Sequence, residues 1–327
     1  MYSWGGSTAD WKKPGAYKYD SARSPYLDKL ASASKAKGGR SYVRNDEPDI
    51  GLVDPFGKKI SSDSENAIVV AVDVTGSMSS WPGEIFDRLP LFYQTLSQYR
   101  PDLEVCFAAI GDATCDQYPL QVNHFGKGVS LEDNLKALGC EGGGGGQISE
   151  SYELFGYFIH THCELKNAQS PFLLIYGDEK YYLHVDKSQV KHFIGDSLEG
   201  KVESAAIWKG LLQKFNTFYL HKPYGSGGEP AVTSEVGDYW AKVLGRQRVI
   251  ELPSCDRAVD VAMAIVARYW GQYGDFRKSI KARHDDSEIS PVEHSIRFLP
   301  VDPAGPITRN SRLLASRSTK ASRRLDE

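Results

Sequence analysis

AIVVAVDVTGSMSS, residues 67–80, is apolar for six positions and then changes character within a few more, with an acid at Asp73 and hydroxyls at Thr75, Ser77 and Ser79. An unbroken apolar run of this length fits a strand covered on both faces, as in a parallel sheet flanked by helices. In such sheets ligands sit beyond the carboxyl ends of the strands, where the strand order reverses. Asp73 falls at the carboxyl end of this strand. Asp73, Thr75 and Ser77, at i, i+2 and i+4, project to one side while the chain stays extended, and Gly76 lets the loop bend. Three converging oxygens suit Mg²⁺, which takes oxygen donors at about 2.0–2.1 Å. A second acid is expected from a neighbouring strand end. LLIYGDE, residues 173–179, supplies Asp178 just past an apolar run.

The elements around this strand alternate. SSWPGEIFDRLPLFYQTLSQY places Ile85, Leu89, Phe92, Leu96 and Tyr99 on one helical stripe, with Ser80 as cap, Pro82 in the first turn and a kink expected at Pro90. LEVCFAAIG and PLQVNHF read as strands whose short connection predicts antiparallel pairing. SESYELFGYFIHTHCEL reads as one helix with Ser149 near its start, PFLLIYG, FNTFYLH and RVIEL as strands, and SEVGDYWAKVL and AVDVAMAIVARYW as helices. The expected fold is α/β: a doubly wound, mainly parallel sheet with one antiparallel edge strand, flanked by irregular N- and C-terminal arms.

Charge divides the chain the same way. Residues 1–44 carry nine Lys/Arg against three Asp and residues 305–327 six against two acids, so a net charge of −3 for all 327 residues leaves −13 on the body. The expected boundaries are a basic N-terminal arm over 1–61, a domain over 62–275 and a basic C-terminal tail over 276–327. Trp4, Trp11, Tyr17, Tyr19 and Tyr26 are interleaved with basic residues in the first arm, which suits docking on a partner. Solvated tails are the alternative. No apolar run approaches the roughly 18–20 residues that span a bilayer, and the start lacks the order of a secretory leader, so a cytoplasmic protein without a membrane partner is expected. Five scattered cysteines with no CxxC pair argue against a disulfide framework or a zinc ribbon.

On DVTGSMS and the order of elements after it, residues 62–272 resemble the von Willebrand factor type A (vWA) domain, whose metal-ion-dependent adhesion site (MIDAS) carries the pattern Asp-x-Ser/Thr-x-Ser. The resemblance implies a Rossmann-like fold with Asp73, Thr75, Ser77 and Asp178 around Mg²⁺, or Mn²⁺ or Ca²⁺ in its place. It places Gln147, in CEGGGGGQISESYEL, where the family usually has a Thr or Asp ligand; Ser149 and Glu150 are nearby substitutes. It further implies no enzymatic role. The open coordination position would take an Asp or Glu of a partner protein, and because intracellular members often act as adaptors in assemblies with ATPases, an ATPase complex is the implied setting. Two other readings are weighed. A Mg²⁺-dependent phosphohydrolase would need a second acid where Thr75 stands. A ribonucleoprotein scaffold would need the basic arms to bind nucleic acid, since the body is acidic.

Overall fold

The computed structural model describes residues 47–141, 149–224 and 229–300. Both arms, at 1–46 and 301–327, and Gln147 lie outside these residues.

In chain order the strands are β1 (Ile60–Ser62), β2 (Ala67–Asp73), β3 (Glu104–Ile110), β4 (Leu120–Val122), β5 (Ser149–Glu150), β6 (Cys163–Leu165), β7 (Phe172–Gly177), β8 (Lys180–Tyr181), β9 (His184–Val185), β10 (Val202–Glu203), β11 (Asn216–His221) and β12 (Val249–Glu251). The main helices are α1 (Trp81–Tyr99), α2 (Ser130–Lys136), α3 (Tyr152–His162), α4 (Ser204–Lys214), α5 (Pro230–Leu244), α6 (Ala258–Tyr269), α7 (Tyr273–Lys281) and α8 (Asp286–Ser295).

Six strands form a central sheet in the order β12-β11-β7-β2-β3-β4, parallel throughout except for β4, which runs antiparallel to β3. The chain is an α/β fold with a mostly parallel central sheet. β2 is buried at all seven positions because its alternate side chains enter different cores. Ile68, Val70 and Val72 pack with the apolar faces of α1, α6, α7 and α8. Val69 and Ala71 face the opposite way, into a second core with α3, α4 and α5. A helical layer therefore covers each face, and continuous hydrophobicity is what that environment selects.

Chain order reverses beside β2: the chain first moves outward through β3 to β4, then returns to β7 on the other side and continues to β11 and β12. This brings the carboxyl ends of β2 and β7, hence Asp73 and Asp178, next to each other. The stripe expected on α1 is buried at Ile85, Leu89, Phe92 and Leu96, and the assigned helix runs on through Pro90. Ser80 precedes it without a side-chain cap bond.

The folded body extends beyond 62–275 at both ends. β1 pairs in parallel with β6. Residues 276–299, expected in a tail, carry most of α7 and all of α8, whose Phe276, Ile280, Ile289 and Val292 enter the core beside α6 together with Ile296 and Leu299. These helices are short and carry few apolar residues, which conceals them in a sequence reading. A buried ion network ties them down. Arg88 of α1 and Arg257 both donate to Asp260 Oδ2, at 3.0 and 3.1 Å, and Arg257 also reaches Glu288 of α8 at 2.8 Å. The single helix expected over 149–165 is also corrected: Ser149 lies in β5 and Cys163–Leu165 in β6. Among the described residues no helix is long and apolar enough to cross a membrane.

Candidate functional site

Past Asp73 the chain leaves the sheet through a single 3-10 turn at Gly76–Met78, and Ser79 closes that turn with φ 56° and ψ −125°. A non-glycine residue there is sterically costly, and such backbone tends to persist where surrounding contacts hold it. The turn presents its hydroxyls back over the strand end. Asp73 Oδ1 accepts from the Thr75 backbone N–H at 2.9 Å and from Thr75 Oγ1 at 2.6 Å. Ser77 Oγ donates across to Asp178 Oδ1 at 2.9 Å, and Thr75 Oγ1 and Ser77 Oγ are 3.2 Å apart. Asp73 and Asp178 are wholly buried and Thr75 nearly so; Ser77 is partly open to solvent. The structure thus gathers four of the five residues singled out in the sequence, with Gln147 outside the described residues.

Two further residues complete the cluster. The Tyr152 hydroxyl, at the start of α3, donates to Asp73 Oδ2. It can reach there because β7 ends in glycine: a Cβ at Gly177 would collide with the Tyr152 hydroxyl and ring. Lys222, the first residue past β11, donates from Nζ to Asp178 Oδ2 at 2.7 Å and to the Ser77 carbonyl at 3.0 Å. Its side chain is 5% exposed. Neither residue belongs to the DVTGSMS pattern. Lys222 was nonetheless findable, because FNTFYLH ends on the same sheet edge as Asp73 and Asp178 and the next residue is a cation.

Buried acids surround this core. Glu150 on β5 and Glu179 just before β8 are 2% and 3% exposed, and β5 pairs in parallel with β8, with Glu150 opposite Tyr181. Burial, then the negative charges of Asp73 and Glu179, push Glu150 up to about 10. Burial, then the Asp178 charge, push Glu179 up to about 8. Glu150 Oε2 and Glu179 Oε2 have no hydrogen-bond partner. Burial is also the main cause that raises Asp73 well above the ordinary carboxylate range, with Asp178 second. Asp112, at the end of β3, folds onto its own turn instead, accepting from the Thr114 N–H and hydroxyl at 3.0 and 2.5 Å.

Chemically, the arrangement is an oxygen-rich cleft short of positive charge. Among the described residues no group of three or more His, Cys, Asp or Glu side chains is placed to hold a metal ion, so any ion here would depend on the Thr75 and Ser77 hydroxyls. His162 of the HTHCE segment bonds Asp196 at 2.7 Å and lies apart from this edge.

No family model and no curated protein matches the sequence. Among solved structures, the chain is similar to the pilus adhesin SpaC from Lactobacillus rhamnosus GG, with 12% identity over 68% of this chain and 32% of the adhesin at a TM-score of 0.42. The open conformation of that adhesin gives 11% identity, 68% and 31% coverage and a TM-score of 0.43. Proximal thread matrix protein 1 from the mussel byssus gives 10% identity, 64% and 48% coverage and a TM-score of 0.41. The chain spans about a third of the adhesin's length. Likenesses this distant assign neither a family nor a function.

Proposed function

We propose that this chain is a doubly wound vWA-type domain whose strand-end cluster holds a divalent cation, Mg²⁺ or Mn²⁺, and through it binds a carboxylate of a partner protein, as an adaptor without enzymatic activity. One observation carries the reading. Thr75 Oγ1 bonds Asp73 Oδ1 and Ser77 Oγ bonds Asp178 Oδ1, and the two hydroxyl oxygens lie 3.2 Å apart, so four oxygens from two strand ends are gathered in one place.

The spacing of the donors fits such an ion. Ligands about 2.0–2.1 Å from octahedral Mg²⁺ lie about 2.9 Å apart along each edge. The successive separations here, from Asp73 Oδ1 through Thr75 and Ser77 to Asp178 Oδ1, are 2.6, 3.2 and 2.9 Å. The residues that would hold the ion are therefore Asp73, Thr75, Ser77 and Asp178. When bound, it would supply a Lewis-acidic position for an incoming carboxylate oxygen. Charge points the same way: Asp73 and Asp178 are opposed by Lys222, so adding a divalent ion turns a cluster of net −1 into one of net +1 that attracts anions. Tyr152 holds Asp73 from the side away from the hydroxyls, and half-buried Ser77 marks the direction of approach.

The test is binding. Mg²⁺ or Mn²⁺ at about 100 times its Kd should raise the Tm of the full chain by about 5 °C or more and leave Asp73→Ala unmoved. A partner captured in Mg²⁺ should elute with EDTA and should not bind that variant. Capture indifferent to chelator would leave a structural turn in place of an adhesion site.

A further inference from the structure

Lys222 is the feature of this edge that a hydroxyl-and-carboxylate cation site does not require. Its ammonium is enclosed with a wholly buried carboxylate, and it also bonds the carbonyl of Ser77, the residue whose hydroxyl belongs to the donor set. Its backbone N–H is fixed to the Gly177 carbonyl at 2.8 Å, so the chain enters this position already anchored beside Asp178. The two oxygens of Asp178 are divided between clients: Oδ1 takes the Ser77 hydroxyl and Oδ2 takes Lys222.

We propose that Lys222 is a built-in competitor of the divalent cation, a resident ammonium that neutralises Asp178 and grips the Ser77 loop when the ion is absent and weakens the ion's binding when it is present. The inference rests on the cation-site reading above and adds its regulation. Two positive centres would share one carboxylate across a few ångströms of protein interior, where charges interact far more strongly than in water. Each therefore lowers the affinity of the site for the other, and by linkage the ion loosens the ammonium as much as the ammonium loosens the ion. A lysine on a flexible stem can yield without moving the strand end. The empty site then keeps its shape without metal, and metal loads only at concentrations that overcome an internal rival.

The experiment is a Mn²⁺ titration of chelator-stripped full-length protein, with unbound ion counted by electron paramagnetic resonance. Lys222→Met and Lys222→Gln should each bind Mn²⁺ about tenfold or more tightly than wild type, whereas Lys222→Arg, which restores the charge, should stay within about threefold of it. If Lys222→Met fails to fold, Lys222→Gln, which can keep a hydrogen bond to Asp178, makes the comparison. A second measurement needs no variant: the side-chain ¹⁵N resonance of Lys222 should move as diamagnetic Mg²⁺ is added. Unchanged or weaker Mn²⁺ binding in the neutral variants, or a Lys222 resonance that stays fixed at saturating Mg²⁺, would overturn the competitor role while the cation site stands. Absence of Mn²⁺ binding to wild type and all variants would overturn both.

Discussion

Two groups of buried carboxylates among the described residues are treated in opposite ways. In the first turn of α6, Asp260 receives two guanidiniums, Arg88 at 3.0 Å and Arg257 at 3.1 Å, and Arg257 is shared with Glu288. At the carboxyl edge of β2 and β7, Asp73, Asp178, Glu150 and Glu179 are all nearly inaccessible, and among the described residues one ammonium, Lys222, is paired with them, through Asp178. Fixed cations neutralise the first group as part of the fold. The second escapes its charge deficit only by retaining protons, as at Glu150, or by drawing a cation from solution. A buried carboxylate supplied with its own guanidiniums belongs to architecture, and a cluster left short of positive charge is fitted to receive something.

Substitutions can break that comparison. The largest effect is expected at Asp260: Asp260→Ala removes the buried carboxylate that Arg88 and Arg257 share and should cost about 3–5 kcal/mol in urea unfolding. Asp73→Asn in metal-free protein should cost less than about 1 kcal/mol or stabilise, because it removes a charge that burial already disfavours. Equal losses at the two positions would erase the distinction. Next, Gly177→Ala should destabilise by about 1–3 kcal/mol through overpacking against Tyr152 and, by moving that hydroxyl off Asp73, abolish the cation-dependent rise in Tm. The smallest effect concerns pH. Burial holds Glu153 up at about 8, against about 4.5 in the unfolded chain. Between those values the folded protein keeps a proton that the unfolded chain has released. Its contribution is therefore complete below about pH 4.5 and is lost as pH rises towards 8. From pH 5 to 8 the wild-type Tm should fall a few degrees further than that of Glu153→Gln; parallel curves would show that Glu153 is not held protonated.

The central strands were legible because their physics is local. AIVVAVD, LEVCFAAIG and PFLLIYG are apolar runs bounded by turns, and each lies where its pattern put it. The antiparallel partner of β3 followed from a short, turn-rich connection. What stayed hidden depends on distant parts of the chain. Cys163–Leu165 reads as the last turn of a helix until Ile60–Ser62 is available to pair with it. α7 and α8 show too few apolar residues to be read as core helices until α6 offers them a surface. At the site, Asp73, Thr75 and Ser77 carry their own spacing, and Asp178 ends an adjacent apolar strand. Lys222 could be found as the cation that follows a strand ending on the same edge, whereas Tyr152 becomes visible only once the fold places α3 against Asp73.

The pairing of β1 with β6 has a mechanical consequence. α3 is fastened at both ends: Tyr152 touches Asp73 at one, and its last turn runs directly into β6, clasped by Ile60–Ser62, at the other. Eleven helical residues make a strut about 16 Å long. Tension applied to Ile60–Ser62 itself would pass through a three-residue clasp into that strut, whose far end touches the Asp73 carboxylate.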